Sequence, residues 1–166
     1  MTHRIASIIT LMSSSLIGEL AVVAPAMATA SSSPAGTAPT AAPAATAIVT
    51  AVVGKLRNTK GSLQCSLHVK DNGFPGGKPM AIASVTKLSG ATATCVFAAV
   101  PPGAYAIAVL HDENNNGKLD TNWLGIPSEG YGASNNKLHT FSAPTFAESK
   151  FVVGTANVEL TINLKY

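Results

Sequence analysis

The stretch PPGAYAIAVLHDENNNGKLD, residues 101–120, contains the two features that decide the fold. After the Pro-Pro-Gly turn, residues 103–111 form a run that is apolar on both faces, as expected of a strand in the centre of a sheet. This strand passes directly into a loop rich in Asp, Asn and Gly. The stretch therefore predicts a binding loop attached to a β-scaffold, and not to a helix.

Period-two alternation indicates further strands on both sides of this stretch. The apolar positions of two of them are Leu63, Cys65, Leu67 and Val69, and then Val158, Leu160, Ile162 and Leu164. Strands are also predicted over residues 47–57, 80–87 and 91–97. Six or so short strands, Gly- and Pro-bearing turns and no helical period predict an all-β antiparallel sandwich with a long Asp/Asn/Gly-rich loop.

Both cysteines, Cys65 and Cys95, fall on the apolar faces of their strands. Because residues 1–30, described below, predict an export signal, we expect an oxidising compartment and a buried Cys65–Cys95 disulfide. Closing a loop of about 30 residues stabilises a fold by roughly 3–4 kcal/mol in the chain-entropy model. The alternative is two free buried thiols or a metal pair.

The loop that begins at His111 spaces oxygen-bearing side chains as calcium-binding loops do. We expect the ligands to be Asp112, Asn114, Asn116, the carbonyl of Lys118, Asp120 and, where the chain folds back, Glu129. The pattern fails at its twelfth position, where Trp123 replaces the usual bidentate glutamate. The alternative is that Asp, Asn and Gly merely form a tight connection.

Charge supports the calcium prediction. Residues 112–129 carry four acidic side chains against one lysine, whereas the rest of the chain after residue 30 carries nine basic residues against three acidic ones. A divalent cation would relieve the repulsion within the loop, and oxygen ligands favour calcium. Because two ligands are Asn, the predicted dissociation constant is on the order of 0.1–1 mM, typical of structural sites outside the cell.

The first 30 residues have the features of a signal peptide: a basic start, an apolar middle and Ala28-Thr29-Ala30 at the end. Residues 31–45 are nearly all Ser, Pro, Ala, Gly and Thr and predict a flexible linker, which leaves residues 46–166 as one β-sandwich domain. The protein is predicted to be exported, periplasmic or secreted, and without a membrane span once the signal is cleaved.

Two further hypotheses concern the same region. If the rings of Trp123 and Tyr131 are exposed, we expect them to stack on a sugar. The alternative is that Trp123 folds down as a lid over the calcium loop and Tyr131 packs beneath it. A hydrolase would need His111, Asp112 and Glu129 to converge. No nucleophile elbow or phosphate-binding glycine loop is present in the sequence, and the net charge of +3 is thinly spread, which argues against a nucleic-acid partner.

The motif HDENNNGKLDTNWLGIPSEGYGASN, residues 111–135, with PPGAYAIAV before it and APTFAESKF after it, resembles a family of exported bacterial proteins known only as a domain of unknown function. The resemblance covers most of residues 47–166. It implies an immunoglobulin-like or prealbumin-like sandwich and an exported location, but no activity.

A weaker similarity links the chain to the calcium-loaded, Cna-B-type repeat domains of bacterial surface proteins. It rests on Pro102, Gly103, Tyr105, Asp112, Asn114, Asn116 and Asp120. Tandem repeats and a C-terminal sorting signal are missing, so a covalent surface anchor is not predicted. The leading hypothesis is a non-enzymatic module with a structural calcium loop, whose partner is an unknown protein or glycan of the cell envelope.

Overall fold

The computed structural model describes residues 45–140 and 142–166. The predicted signal peptide and residues 31–44 of the predicted linker lie outside the described residues. Within the described part of the chain, no helix is both long and apolar enough to cross a membrane.

Eight strands and one short helix make up the regular structure of the described residues. The strands are β1 (Ala47–Gly54), β2 (Ser62–His68), β3 (Ala81–Val85), β4 (Thr92–Val100), β5 (Gly103–Asp112), β6 (Gly130–Ala133), β7 (Phe151–Val153) and β8 (Val158–Asn163). The helix α1 (Phe146–Ser149) is a single turn that lies between β6 and β7, and a 3-10 turn (Ser134–Asn136) follows β6.

The strands form two sheets. One sheet has three strands in the order β4-β1-β8, and the other has the order β3-β2-β5-β6, with β7 also paired to β5. All pairs are antiparallel except β1 with β8, which is parallel. The predicted all-β sandwich is therefore confirmed, with one parallel pair that strand alternation alone does not reveal.

The core lies between the sheets and follows the predicted alternation. Its fully buried side chains include Val49, Val53, Leu63, Leu67, Ile107 and Ile162. Each side chain of this size contributes roughly 1.5–3 kcal/mol when it is removed from water. The predicted disulfide between Cys65 of β2 and Cys95 of β4 is present, with a sulfur–sulfur distance of 2.08 Å, and it covalently links the two sheets.

The second sheet also buries part of its outer face. Phe74, from the connection after β2, packs there with Ala106 and Ala133 in a second, smaller core. His68 lies beneath this cover, is 1% exposed and meets the Phe74 ring edge to face at 5.1 Å between centroids. His68 shares the polar face of β2 with Gln64 and Ser66, and it is buried because the connection after β2 folds back over it.

Candidate functional site

The loop between β5 and β6 begins with a buried carboxylate. Asp112 lies on the outer face of β5, because it follows Leu110 at the strand period, and it is 1% exposed. Its Oδ1 accepts a hydrogen bond from the Asn116 N–H at 3.0 Å, and its Oδ2 accepts one from the Gly117 N–H at 2.7 Å. The carboxylate thus turns the chain back, and Gly117 adopts a φ of 77° that L side chains rarely reach.

A second buried carboxylate holds the other end of the loop. Glu129 directly precedes β6 and is 4% exposed. Its Oε1 accepts a hydrogen bond from the Glu113 N–H at 2.8 Å, and its Oε2 accepts one from the Asp120 N–H at 3.1 Å. Because hydrogen bonds to a carboxylate are stronger than those between neutral groups, Glu129 fixes the two halves of the loop against each other.

Two of the side chains predicted to bind calcium, those of Asn114 and Asn116, contact the carboxylate of a third, Asp120. Asn114 Nδ2 lies 2.6 Å from Asp120 Oδ2, and Asn116 Nδ2 lies 2.9 and 3.0 Å from the two Asp120 oxygens. The Asn114 and Asn116 side-chain oxygens accept hydrogen bonds from the N–H groups of Asn116 and Lys118. The structure thus joins Asp112, Asn114, Asn116 and Asp120 in one hydrogen-bonded network.

Asp112, Asn114, Asn116 and Asp120 have the chemistry that calcium prefers, since the only side-chain atoms they could offer to a metal are hard oxygens. In this structure the amide nitrogens of Asn114 and Asn116 face the Asp120 carboxylate. Each amide would have to rotate by a half-turn to direct its oxygen at a calcium ion bound beside Asp120. Glu129 uses both its oxygens on backbone N–H groups, as Asp112 does, and it makes no hydrogen bond to the side chains of Asn114, Asn116 or Asp120. Within the described residues, no three His, Cys, Asp or Glu side chains lie close enough together to hold a metal ion, so the amides would be essential ligands.

The tip of the loop is organised by Asn122, a residue that the sequence analysis missed. Its Oδ1 accepts hydrogen bonds from the N–H groups of Leu124 at 2.9 Å and Ile126 at 3.1 Å, and its own N–H donates to the Ile126 carbonyl at 2.8 Å. The sequence feature that indicates such a turn is an Asn three residues before a Gly. In the structure this glycine, Gly125, has a φ of 76°. Side chains, and not a sheet ladder, therefore order much of this connection.

The two aromatic residues of the region are placed differently. Trp123, at the loop tip, is 90% exposed, so it does not fold down as a lid over the loop. Tyr131 lies in β6, is partly buried, and its backbone pairs with Leu110 on one side and Lys165 on the other. Of the two rings, Trp123 is the one that presents most of its surface to solvent.

The three residues of the hydrolase hypothesis bind different partners and do not form one cluster. His111 points away from Asp112, since neighbouring residues of a strand face opposite sides. The His111 ring is fully buried and bound through Nδ1 to the Tyr166 hydroxyl at 2.7 Å and through Nε2 to the Lys60 carbonyl at 2.9 Å. His111, Asp112 and Glu129 therefore do not converge on a cleft, and each is occupied by structural hydrogen bonds.

An ion pair holds the start of the loop against the connection between β1 and β2. Arg57 Nε lies 2.6 Å from Glu113 Oε1, and Asn58 donates to Glu113 Oε2 at 3.0 Å. Burial alone would raise the pKa of Glu113, but the hydrogen bonds from Arg57 and Asn58 outweigh it and leave the pKa below its ordinary value. Glu113 thus remains ionised and is unavailable as a proton donor at neutral pH.

Residues 51–161 match the model of a protein family described as "Uncharacterized protein conserved in bacteria (DUF2141)". This match spans β2 to β7 and the whole β5–β6 loop, with half of β1 and most of β8. No curated protein and no solved structure matches the chain.

Proposed function

The chain belongs to this family of uncharacterized bacterial proteins, and we propose that it is an exported, non-enzymatic interaction module whose β5–β6 loop binds calcium. The proposal of export rests on the signal-like features of residues 1–30. The proposal of an interaction module rests on the loop, which holds buried carboxylates at its base and large apolar side chains at its tip.

The observation that carries the calcium proposal is the network around Asp120, in which the side chains of Asn114 and Asn116 contact the Asp120 carboxylate and Asp112 binds the Asn116 N–H. Asp112, Asn114, Asn116 and Asp120 would supply the side-chain ligands, and calcium would replace amide hydrogen bonds by direct oxygen contacts. Two carboxylates and two amides give a low ligand charge, so we expect a dissociation constant on the order of 0.1–1 mM. Such a site fills only where calcium is abundant, as it is outside cells.

The loop tip supplies the contact surface of the proposed module. Trp123, Leu124 and Ile126 are 90%, 60% and 45% exposed, respectively. Large apolar side chains that are grouped on a surface indicate a binding site, and Trp is enriched among the residues that contribute most to interfaces. Calcium at the base of the loop would hold this tip in one position, and a protein of the cell envelope is the proposed partner.

Calorimetric titration and thermal melting of the purified protein test the calcium site. We expect heat of calcium binding and a higher melting temperature in calcium than in chelator. Asp120→Asn should abolish both effects, because it removes a ligand charge while it keeps the shape of the side chain. Glu159→Gln, an exposed change on β8, should keep both. An absence of calcium heat together with equal melting temperatures would overturn the calcium site.

The exposure of Trp123 favours a second candidate function, a carbohydrate-binding module. An indole face at 90% exposure is available to stack on a sugar ring, whereas the partly buried Tyr131 offers less surface. A glycan array would show binding that disappears in Trp123→Ala. Glycan binding that is unchanged in this variant, or no glycan binding at all, would exclude Trp123 as a sugar-stacking residue.

A further inference from the structure

A groove of about 650 Å³ lies on the outer face of the five-stranded sheet. Its floor is made of side chains that lie side by side on paired strands. One row runs from Ile82 of β3 through Ser66 of β2 to Ala108 of β5, and a second row joins Gln64 of β2 to Leu110 of β5. Because strand pairing fixes this floor, the groove exists before any ligand arrives. Its volume is in the range of small-molecule sites, which is roughly 300–1,000 Å³.

The groove is lined by large apolar side chains that are still open to water. They are Ile82 and Leu124, each 60% exposed, Ile126 at 45% and Leu119 at 40%. Except for Ile82 of β3, these side chains come from the β5–β6 loop, which forms one wall of the groove. An apolar occupant would remove these surfaces from water, which is the main source of affinity in such sites.

The charge inside the groove has one sign. Among the described residues that line it, Lys118 and His139 are basic and none is Asp or Glu. His139 Nε2 lies 3.1 Å from both oxygens of Glu148, and hydrogen bonds from Thr145 and His139 lower the pKa of Glu148 to about 2, so this carboxylate stays ionised and engages His139. Lys118 is exposed, and its ammonium group has no salt-bridge partner among the described residues. Lys118 is therefore the charge that is left for a ligand.

The acidic side chains of the β5–β6 loop are bound elsewhere. Asp112 and Glu129 are buried and accept hydrogen bonds from backbone N–H groups. Glu113 is paired with Arg57, and Asp120 accepts hydrogen bonds from two Asn side chains. None of these four carboxylates lines the groove. The lining thus offers an anion one unpaired cation, whereas it offers a cation no carboxylate at all.

We propose that this groove binds a small amphipathic anion, a molecule with an apolar body and one carboxylate group, of which a medium-chain fatty acid is the simplest example. The apolar body would lie on Ile82, Leu110 and Leu124, and the carboxylate would pair with the Lys118 ammonium group. This site goes beyond the calcium-dependent module proposed above. All of its tests are made in chelator, so their failure would leave the calcium site untouched.

Three ligands with the same eight-carbon chain test the charge selectivity: octanoate, 1-octanol and octylammonium. Their dissociation constants are measured by displacement of the uncharged fluorescent probe N-phenyl-1-naphthylamine from the purified protein. We expect octanoate to bind about fivefold more tightly than octanol, because only octanoate pairs with Lys118, and octylammonium to bind most weakly. Binding of octanol or octylammonium that is as tight as that of octanoate, or no binding of octanoate, would overturn the proposal.

Lys118→Gln tests the proposed partner of the carboxylate. This change removes the charge but keeps the backbone carbonyl that is predicted to bind calcium. It should weaken octanoate binding about fivefold and leave octanol binding unchanged. Lys87→Gln is the matched control, since Lys87 is also exposed but does not line the groove, and it should keep the preference for octanoate. A preference for octanoate that persists in Lys118→Gln would overturn the proposal.

Ile82→Thr tests where the apolar body lies. Threonine keeps the branched shape that suits a strand but removes apolar surface from the floor, so octanoate and octanol should both bind about threefold or more weakly. Val96→Thr is the matched control, since Val96 is a strand residue that is 54% exposed on the other sheet, and it should leave binding unchanged. Circular dichroism would verify that both variants fold. Unchanged binding in the folded Ile82→Thr protein would overturn the proposal.

Discussion

The Nδ1 atom of His111 lies 2.7 Å from the hydroxyl oxygen of Tyr166, the last residue of the chain. The other ring nitrogen, Nε2, lies 2.9 Å from the Lys60 carbonyl, which can only accept a hydrogen bond, so Nε2 carries the proton. Nδ1 therefore accepts from Tyr166, whose oxygen in turn accepts from the Arg57 N–H at 3.1 Å. This chain of hydrogen bonds ties β5 to the β1–β2 connection and to the C-terminus.

Tyr166→Phe should lower the free energy of unfolding by about 1–3 kcal/mol, because it leaves Nδ1 of the buried His111 without a partner. The packing of the Arg57 guanidinium, 4.4 Å from the centre of the Tyr166 ring, is kept in this variant. Urea denaturation measures the change. Tyr131→Phe is the control, since the Tyr131 hydroxyl has no hydrogen bond within the described residues, and it should shift stability by less than about 0.5 kcal/mol. Equal losses in the two variants would contradict the role given to Tyr166.

Glu129→Gln should destabilise the β5–β6 loop. A carboxylate accepts hydrogen bonds through both oxygens, whereas the amide of Gln places an NH₂ group against either the Glu113 or the Asp120 N–H. We expect a loss of about 1–3 kcal/mol in unfolding free energy, together with faster hydrogen exchange of the two N–H groups. Exchange rates that match those of the wild type at Glu113 and Asp120 would show that Glu129 does not hold the loop.

Much of the fold could be predicted because burial is encoded in the apolar period of the long strands. The alternation of β8 and the continuous apolar run of β5 are present in the chain itself, and each strand forms where predicted. The strand β7 has only three residues, too few to establish a period, and β6 contains two glycines, which are rare in strands. Both strands form because they pair with β5, a contact that local sequence does not reveal.

The glycines of β6 illustrate the limit of local inference. Glycines are typical of turns, yet Gly130 and Gly132 both lie in a strand. A Cβ atom at Gly130 would lie 2.6 Å from the Tyr166 ring, and one at Gly132 would lie 3.0 Å from Ile162 Cγ2. Glycine is therefore needed for the close approach of the C-terminal segment, which only the folded structure shows.

The hydrogen-bonded network of the loop could be predicted only in part, and calcium binding stays a prediction. The spacing of Asp112, Asn114, Asn116 and Asp120 depends only on neighbouring residues, and these residues share one network, in which Asp112 takes part through the Asn116 N–H. The position of Glu129 depends on how the chain returns to the sheet. Its carboxylate binds the backbone at Glu113 and Asp120, which spacing alone could not specify.

Because His68 is buried, we expect the protein to lose stability at mildly acidic pH. Burial lowers the pKa of His68 below its ordinary value of 6.5, so the folded protein keeps the ring neutral while the unfolded chain binds a proton. The unfolded state then holds more protons between the two pKa values, and stability falls as the pH decreases from about 6.5 through this window. His68→Phe keeps the edge-to-face packing on Phe74 and should give a shallower fall in urea-denaturation free energy. Parallel pH profiles of the variant and the wild type would assign the pH dependence to other groups.

For the disulfide between Cys65 and Cys95, we expect the losses of stability in the two single cysteine variants not to add. It closes a sequence separation of 30 residues and links the two sheets, so its loss should cost about 3–4 kcal/mol in the chain-entropy model. Cys65→Ala and Cys95→Ala break the same cross-link, and each single variant should lose nearly as much stability as the double variant. Urea denaturation of the three proteins under oxidising conditions measures this directly. Losses that simply add would mean that each cysteine stabilises the core by packing alone, and that the cross-link contributes little.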